Sequence, residues 1–207
     1  MLFAVIGGPH GHLAALDTAL DCIAAQGIHM ILCTGNLAAG HAQPNEVINR
    51  LRERRIVCVQ GEADRQVVRA LRKASSMKER LGDDRFDEIA RAHEALTSDN
   101  IEFLRALPRA RTIPIEQVHV HLCHGTVASQ SDAMQEHDSI ERFRRQREAA
   151  NTEIVICGSD GPAFIRWVDL TLFANPGSML ANTLPVIAIN TDTEPFHAEM
   201  LRAPMAG

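Results

Sequence analysis

The chain has 207 residues, 45% hydrophobic and 23% charged, a balance that suits one packed domain over residues 1–207 and excludes extensive disorder or a disulfide-dense miniature. Its 26 acidic and 21 basic side chains leave a formal charge of -5, which repels a nucleic-acid backbone unless the cations gather on one face. No apolar stretch approaches the roughly 20 residues that cross a bilayer, and the N-terminus has no basic leader, so a cytoplasmic protein without membrane attachment is expected.

Residues 2–7 form a short apolar run broken by Gly7-Gly8-Pro9, and Leu13, Leu16, Leu20 and Ile23 follow at helical spacing. This predicts strand, loop and helix. The pattern recurs with a strand over 30–34, a Gly-Asn loop and a helix over 44–54 that carries Val47, Ile48 and Leu51 on one side, then a third strand over 56–60. Strands separated by amphipathic helices favour right-handed βαβ units. Residues 64–106 read as mainly helical, with a break at Gly82-Asp83-Asp84, an N-cap at Ser98 or Asp99 and a stop at Pro108. The second half is predicted as strands over 111–116 and 118–123, a charged helix over 132–150, and short strands over 154–157, 164–168, 170–174, 186–190 and 196–201. Residues 203–207 are expected to fray.

The five cysteines form no CxxC pair and read as reduced, buried thiols. Cys33, Cys58, Cys123 and Cys157 all fall at strand ends, so a shared location below one pocket is a second reading, although a soft-metal site needs tetrahedral convergence. His119 and His121 share one face of a strand without carboxylates nearby in sequence. The basic run at 142–147 is flanked by Glu141 and Glu148 and reads as a solvated helix face.

In α/β sheets ligands gather beyond the carboxyl ends of strands. The loops there read Gly7-Gly8-Pro9-His10-Gly11-His12, Gly35-Asn36-Leu37, Gly61-Glu62-Ala63-Asp64, Cys123-His124-Gly125, Gly158-Ser159-Asp160-Gly161 and Asn175-Pro176-Gly177-Ser178. In order and spacing these six blocks resemble the calcineurin-like metallophosphoesterases, whose loops run roughly D-x-H-G-N, G-D-x-x-G, G-N-H-D, H-G, G-H-T-H and N-P-G-S. The resemblance implies a four-layer α-β-β-α sandwich, a two-metal centre and phosphoester hydrolysis.

Carried over position by position, the resemblance implies a degenerate member. Gly8 stands where the family has an aspartate, while His10 keeps its register and His12 replaces an asparagine. Asn36 takes the place of the bridging aspartate. Glu62 and Ala63 replace the asparagine ligand and the catalytic histidine, and Asp64 keeps the last acid. His124 is retained. Ser159 and Gly161 replace two histidines, with Asp160 between them. Two dications about 3.5–4 Å apart repel strongly and need anionic ligands, which a neutral Asn36 and a bare Gly8 do not supply. Ala63 removes an imidazole of the kind that contributes about 10²–10⁴-fold to rate.

The sequence therefore predicts a non-catalytic protein with a binding, regulatory or interaction role, its partner a protein or a phosphate-bearing small molecule held in the old cleft by His10, His12, His124 and loop N–H groups. No cofactor is expected. The alternative is a residual phosphodiesterase or phosphatase with one Mn²⁺, Zn²⁺ or Fe ion at Asn36, Glu62 and His124. Homo-oligomerisation is a third role the resemblance implies, and residues 72–93, which match no family block, are a candidate lid or plug.

Overall fold

The computed structural model describes residues 1–180 and 183–204. Alternation along the strands decides the layering. In β1 (Leu2–Ile6), Phe3 and Val5 face one way and Ala4 and Ile6 the other, and all four are fully buried, so the strand carries a hydrophobic layer on each face. The elements that follow are α1 (Leu13–Ala25), β2 (Met30–Cys33), α2 (Pro44–Glu53), β3 (Val57–Cys58), α3 (Glu62–Arg69), a 3-10 turn at Leu71–Lys73, α4 (Ala74–Leu81), α5 (Asp83–Ala95) and α6 (Ser98–Ala106). The second half contributes β4 (Ala110–Ile115), β5 (Val118–His124), α7 (Ile140–Ala150), β6 (Ile154–Gly158), β7 (Phe164–Val168), β8 (Thr171–Asn175), β9 (Thr183–Asn190) and β10 (His197–Pro204).

One sheet has the order β10-β9-β1-β2-β3 and the other β4-β5-β6-β8-β7. β1, β2 and β3 run parallel, as do β5, β6 and β8. The remaining strands are antiparallel to their neighbours. Phe3, Val5, Leu32 and Val59 of the first sheet share a core with Val120, Leu122, Ile154 and Ile156 of the second. The opposite face of the first sheet is covered by α1 to α6, through Leu16, Val47, Val67, Met77, Ile89 and Leu104. The outer face of the second sheet is covered by α7, where Phe143 packs edge-on against Phe173 and Phe164 with ring centroids 4.9 and 6.0 Å apart. The result is the α-β-β-α sandwich, two mixed sheets between helical layers. Among the described residues no helix is long and apolar enough to cross a membrane.

Several local expectations are corrected. The helix expected over 132–150 begins only at Ile140: the Ser139 hydroxyl accepts from the Arg142 amide as an N-cap, and residues 132–139 form a loop. Arg142 holds that loop through Asp132, the Ala133 carbonyl and Asp138, and Arg166 donates to the Asp138 carbonyl. The strand expected over 56–60 is only two residues long, paired with β2 at the edge of the first sheet. The N-cap of α6 is Thr97, one residue earlier than expected, its hydroxyl accepting from the Asn100 amide. Residues 203 and 204 continue β10 instead of fraying, and 205–207 lie outside the described residues.

The four strand-end cysteines do not converge. Cys33 and Cys58 are register partners on the helix-covered face of the first sheet, and Cys123 and Cys157 are register partners facing α7 on the second. The whole inter-sheet core separates the pairs. All four are buried core thiols, and burial pushes the Cys123 thiol up to about 12.

Leu122 is fully buried between the sheets. Leu122→Ala is expected to lower unfolding free energy by about 2–5 kcal/mol, read as a shifted urea midpoint with an unchanged slope.

Candidate functional site

All six motif loops lie at one end of the sandwich, beyond the carboxyl ends of β1, β2, β3, β5, β6 and β8. Backbone geometry brings the first two together. His10 and Asn36 both adopt left-handed conformations, with φ of 50° and 57°, next to Gly11 and Gly35, also at positive φ. The His10 amide then donates to the Asn36 carbonyl at 2.9 Å and the Gly11 amide to the Leu37 carbonyl at 2.7 Å. A Cβ on Gly7 would sit 1.8 Å from the Gly177 carbonyl oxygen, so only glycine lets the Asn175–Ser178 loop close over the end of β1.

The side chains form one polar knot. His10 is 1% exposed, with Nδ1 2.9 Å from the Ala39 carbonyl oxygen and Nε2 2.8 Å from Asp160 Oδ1. Both partners are acceptors, so a ring with two N–H groups satisfies both. Asn36 donates from Nδ2 to both Asp160 oxygens, at 3.1 and 3.2 Å, while its Oδ1 accepts from the Ala63 amide at 3.0 Å. Burial opposes ionisation of Asp160, but the hydrogen bonds from His10 and Asn36 and the influence of His124 outweigh it and hold the carboxyl below its ordinary value.

Asp64 is fully buried and accepts three backbone amides: Leu37 at 2.7 Å and Ala38 at 3.3 Å on one oxygen, Gly61 at 3.0 Å on the other. Burial nevertheless raises its pKa, the bonds from Gly61 and Leu37 offsetting only part of the effect. His124 Nδ1 lies 2.8 Å from the Thr34 carbonyl oxygen. Ser159 is absorbed by Asn175, whose Nδ2 donates to its hydroxyl at 2.8 Å, and that hydroxyl also accepts from the Gly161 amide at 3.3 Å. Glu62 turns toward the helices, accepting from Gln66 and lying 3.8 and 3.9 Å from Arg65 and Arg80. His12 caps α1, its Nδ1 accepting from the Ala15 amide at 3.2 Å, and its ring stacks at a tilt on His41. His119 and His121 lie on the outer face of β5 and are not among the residues lining the hollow above the knot.

Above the knot is a hollow of about 250 Å³ that brings Asn36, Glu62, Ala63, His124, Ser159 and Asp160 together. Residues that sequence reasoning missed complete its wall: Gln130 and Ser131 ahead of the segment read as helix, Asp132 at its start, and Leu81 and Arg85 from the segment read as a candidate lid. That segment borders the hollow with its α4–α5 corner. No motif signalled Gln130, whose Nε2 donates to the Gln60 carbonyl at 2.6 Å.

These donors do not fit a two-metal centre. A Cβ on Gly8 would lie 2.8 Å from His10 Nε2 and 2.9 Å from Asn36 Cβ, so the His10 ring fills the space where a carboxylate at position 8 would enter. Asn36 presents its amide nitrogen, not its oxygen, to Asp160. Asp64 is committed to backbone amides. Among the described residues no group of three or more His, Cys, Asp or Glu side chains is arranged to hold a metal ion.

Residues 1–191 match the family profile described as the calcineurin-like phosphoesterase superfamily domain. The chain belongs to that superfamily. An uncharacterised protein of Methanocaldococcus jannaschii is 30% identical over 112 residues, 52% of this chain and 42% of its own length, so the match spans less than half of that relative. Among solved structures, a hypothetical protein from Pyrococcus horikoshii aligns with a TM-score of 0.87 at 16% identity, covering 99% of this chain and 88% of its own. A metallophosphoesterase from Sphaerobacter thermophilus aligns with a TM-score of 0.75 at 14% identity, covering 100% and 90%. At these identities the structures establish the shared fold.

Two predictions follow from the knot. Asp64→Asn turns an amide nitrogen toward a backbone N–H, and the unmet donors should cost about 1–3 kcal/mol of stability in urea unfolding. Asp160 has a folded pKa below its ordinary value of 3.8, so its contribution is present above that value and lost as pH falls through the folded one. The stability gap between wild type and Asp160→Asn should therefore narrow as pH falls below 3.8 in acid unfolding.

Proposed function

We propose that this chain is a non-catalytic member of its superfamily, a single unit whose cleft serves a binding, regulatory or interaction role. One observation supports the reading most: His10, Asn36 and Asp160 satisfy one another where a metal would need their lone pairs. A hydrogen-bonded histidine and carboxylate leave no shared anionic bridge for two dications. With Ala63 in place of an imidazole, no neighbouring side chain at that position donates a proton to a leaving group.

The cleft itself is a poor host for the phosphate-bearing ligand expected from sequence. His10 has both nitrogens engaged inside the protein, and His12 serves as a helix cap. An anion entering the hollow would meet Glu62, Asp132 and Asp160, with Arg85, already bonded to Glu88, as the guanidinium on the wall. Neutral hydrogen-bonding partners suit this surface better than phosphate does.

The second reading, a residual phosphodiesterase with a single ion, draws support from the shared hollow of Asn36, Glu62 and His124. Hydrolysis of bis(p-nitrophenyl) phosphate with added Mn²⁺, run beside elemental analysis, separates the two. The expected result is turnover at background and metal well below one equivalent. Metal-dependent turnover abolished by Glu62→Ala or His124→Ala would establish the enzyme instead.

A further inference from the structure

The cations of this acidic protein are not spread evenly. Beside the cleft, α3, the 3-10 turn and α4 enclose a hollow of about 360 Å³ lined by Arg65, Arg69, Lys73 and Arg80. A second hollow of about 360 Å³ adjoins it and shares Arg65 and Arg69, adding Arg72 from the turn, Arg105 from α6 and Arg109 ahead of β4. Together they gather seven cationic side chains, six of them arginine, and among the described residues no carboxylate lines either hollow. The carboxylates that reach this set do so from outside: Glu62 to Arg65 and Arg80, and Glu102 to Arg105. Arg69, Arg72, Lys73 and Arg109 form no ion pair among the described residues.

Such crowding carries an electrostatic cost in the free protein. Burial first, then the charges of Arg69, Arg109 and Arg80 working against Glu62, push the Arg65 guanidinium below its ordinary range. A surface that holds like charges together in a concave shape is relieved by a bound anion. The choice of arginine narrows its chemistry, because the planar guanidinium grips phosphate oxygens in pairs where lysine acts as a point charge. Two further features separate a compact ligand from nucleic acid. No aromatic ring lines either hollow among the described residues, so the stacking platform of single-strand binders is missing. The cations also converge on linked hollows and do not form a stripe along an extended face.

We propose that this arginine groove binds the polyphosphate group of a small molecule, at a site beside the family cleft that shares Gln66 with its wall. The proposal does not depend on whether the cleft is catalytic. It meets, for one face, the condition set beside the net charge of -5, that the cations gather together.

The test is calorimetric titration of the full chain in metal-free, low-salt buffer with inorganic tripolyphosphate and, separately, with adenosine triphosphate. Saturable binding is expected, weakening with added salt and at least tenfold weaker in an Arg69→Gln, Arg109→Gln double variant, whose changes fall on exposed side chains and leave the circular dichroism spectrum unchanged. An Arg69→Lys, Arg109→Lys variant keeps the charge and should recover part of the affinity. Equal affinity for the two probes assigns recognition to the phosphate chain, and a tighter nucleotide assigns it to a nucleoside polyphosphate. No binding of either probe, or binding indifferent to the double variant, overturns the proposal. Binding of a labelled duplex or single-stranded oligonucleotide with no response to tripolyphosphate overturns it in favour of nucleic acid.

Discussion

A histidine nitrogen and a carboxylate oxygen 2.8 Å apart join residue 10 to residue 160, and with them the loop after β1 to the loop after β6. The two strands belong to different sheets, so the contact closes the sandwich at the end where all six motif loops emerge. His124 bonding to the Thr34 carbonyl repeats the bridge from the other direction. With Asp160 44% exposed, solvent screens the pair and its direct energy is modest, about 1 kcal/mol or less. Its importance is positional: it fixes which atoms of Asn36 face the cleft and commits the lone pairs that a metal would require.

Asp64 supplies the complementary constraint from below. Three backbone amides converge on one buried carboxylate, so the loop after β2 and the first turn of α3 cannot move independently. Its presence here has a physical explanation, since it carries the loop geometry whether or not a metal is held. The closing Asn175 does the same for the loop after β6, through Ser159 and the amide of Gly177.

The architecture was legible in the sequence because it rests on alternation and punctuation, both local. Phe3 and Val5 against Ala4 and Ile6 state a two-faced strand, and the six glycine-bearing blocks state where chain ends meet. The departures from the family's motif pattern at Gly8, Asn36, Ala63 and Gly161 were legible in the same way. What filled the space was not. Nothing local announces that the His10 ring lies over Gly8, that Asp160 turns inward to meet it, or that Glu62 turns away toward Arg80. Residues 132–139 misread as helix because their polar periodicity does not reveal that Ser139 caps the chain and Arg142 folds back on Asp132. The arginine groove was not legible for a topological reason: residues 65–80 and 105–109 are separated by α5 and most of α6, and only packing sums their charge.

The histidine lying over Gly8 also bears on how this fold can change. To place a carboxylate at position 8, the imidazole must first leave, which strands Asp160 without its partner and frees the amide of Asn36 to turn. Each step is unfavourable until the others are made. The arrangement is thus coupled: these side chains hold one another, and putting a carboxylate at position 8 takes several simultaneous changes.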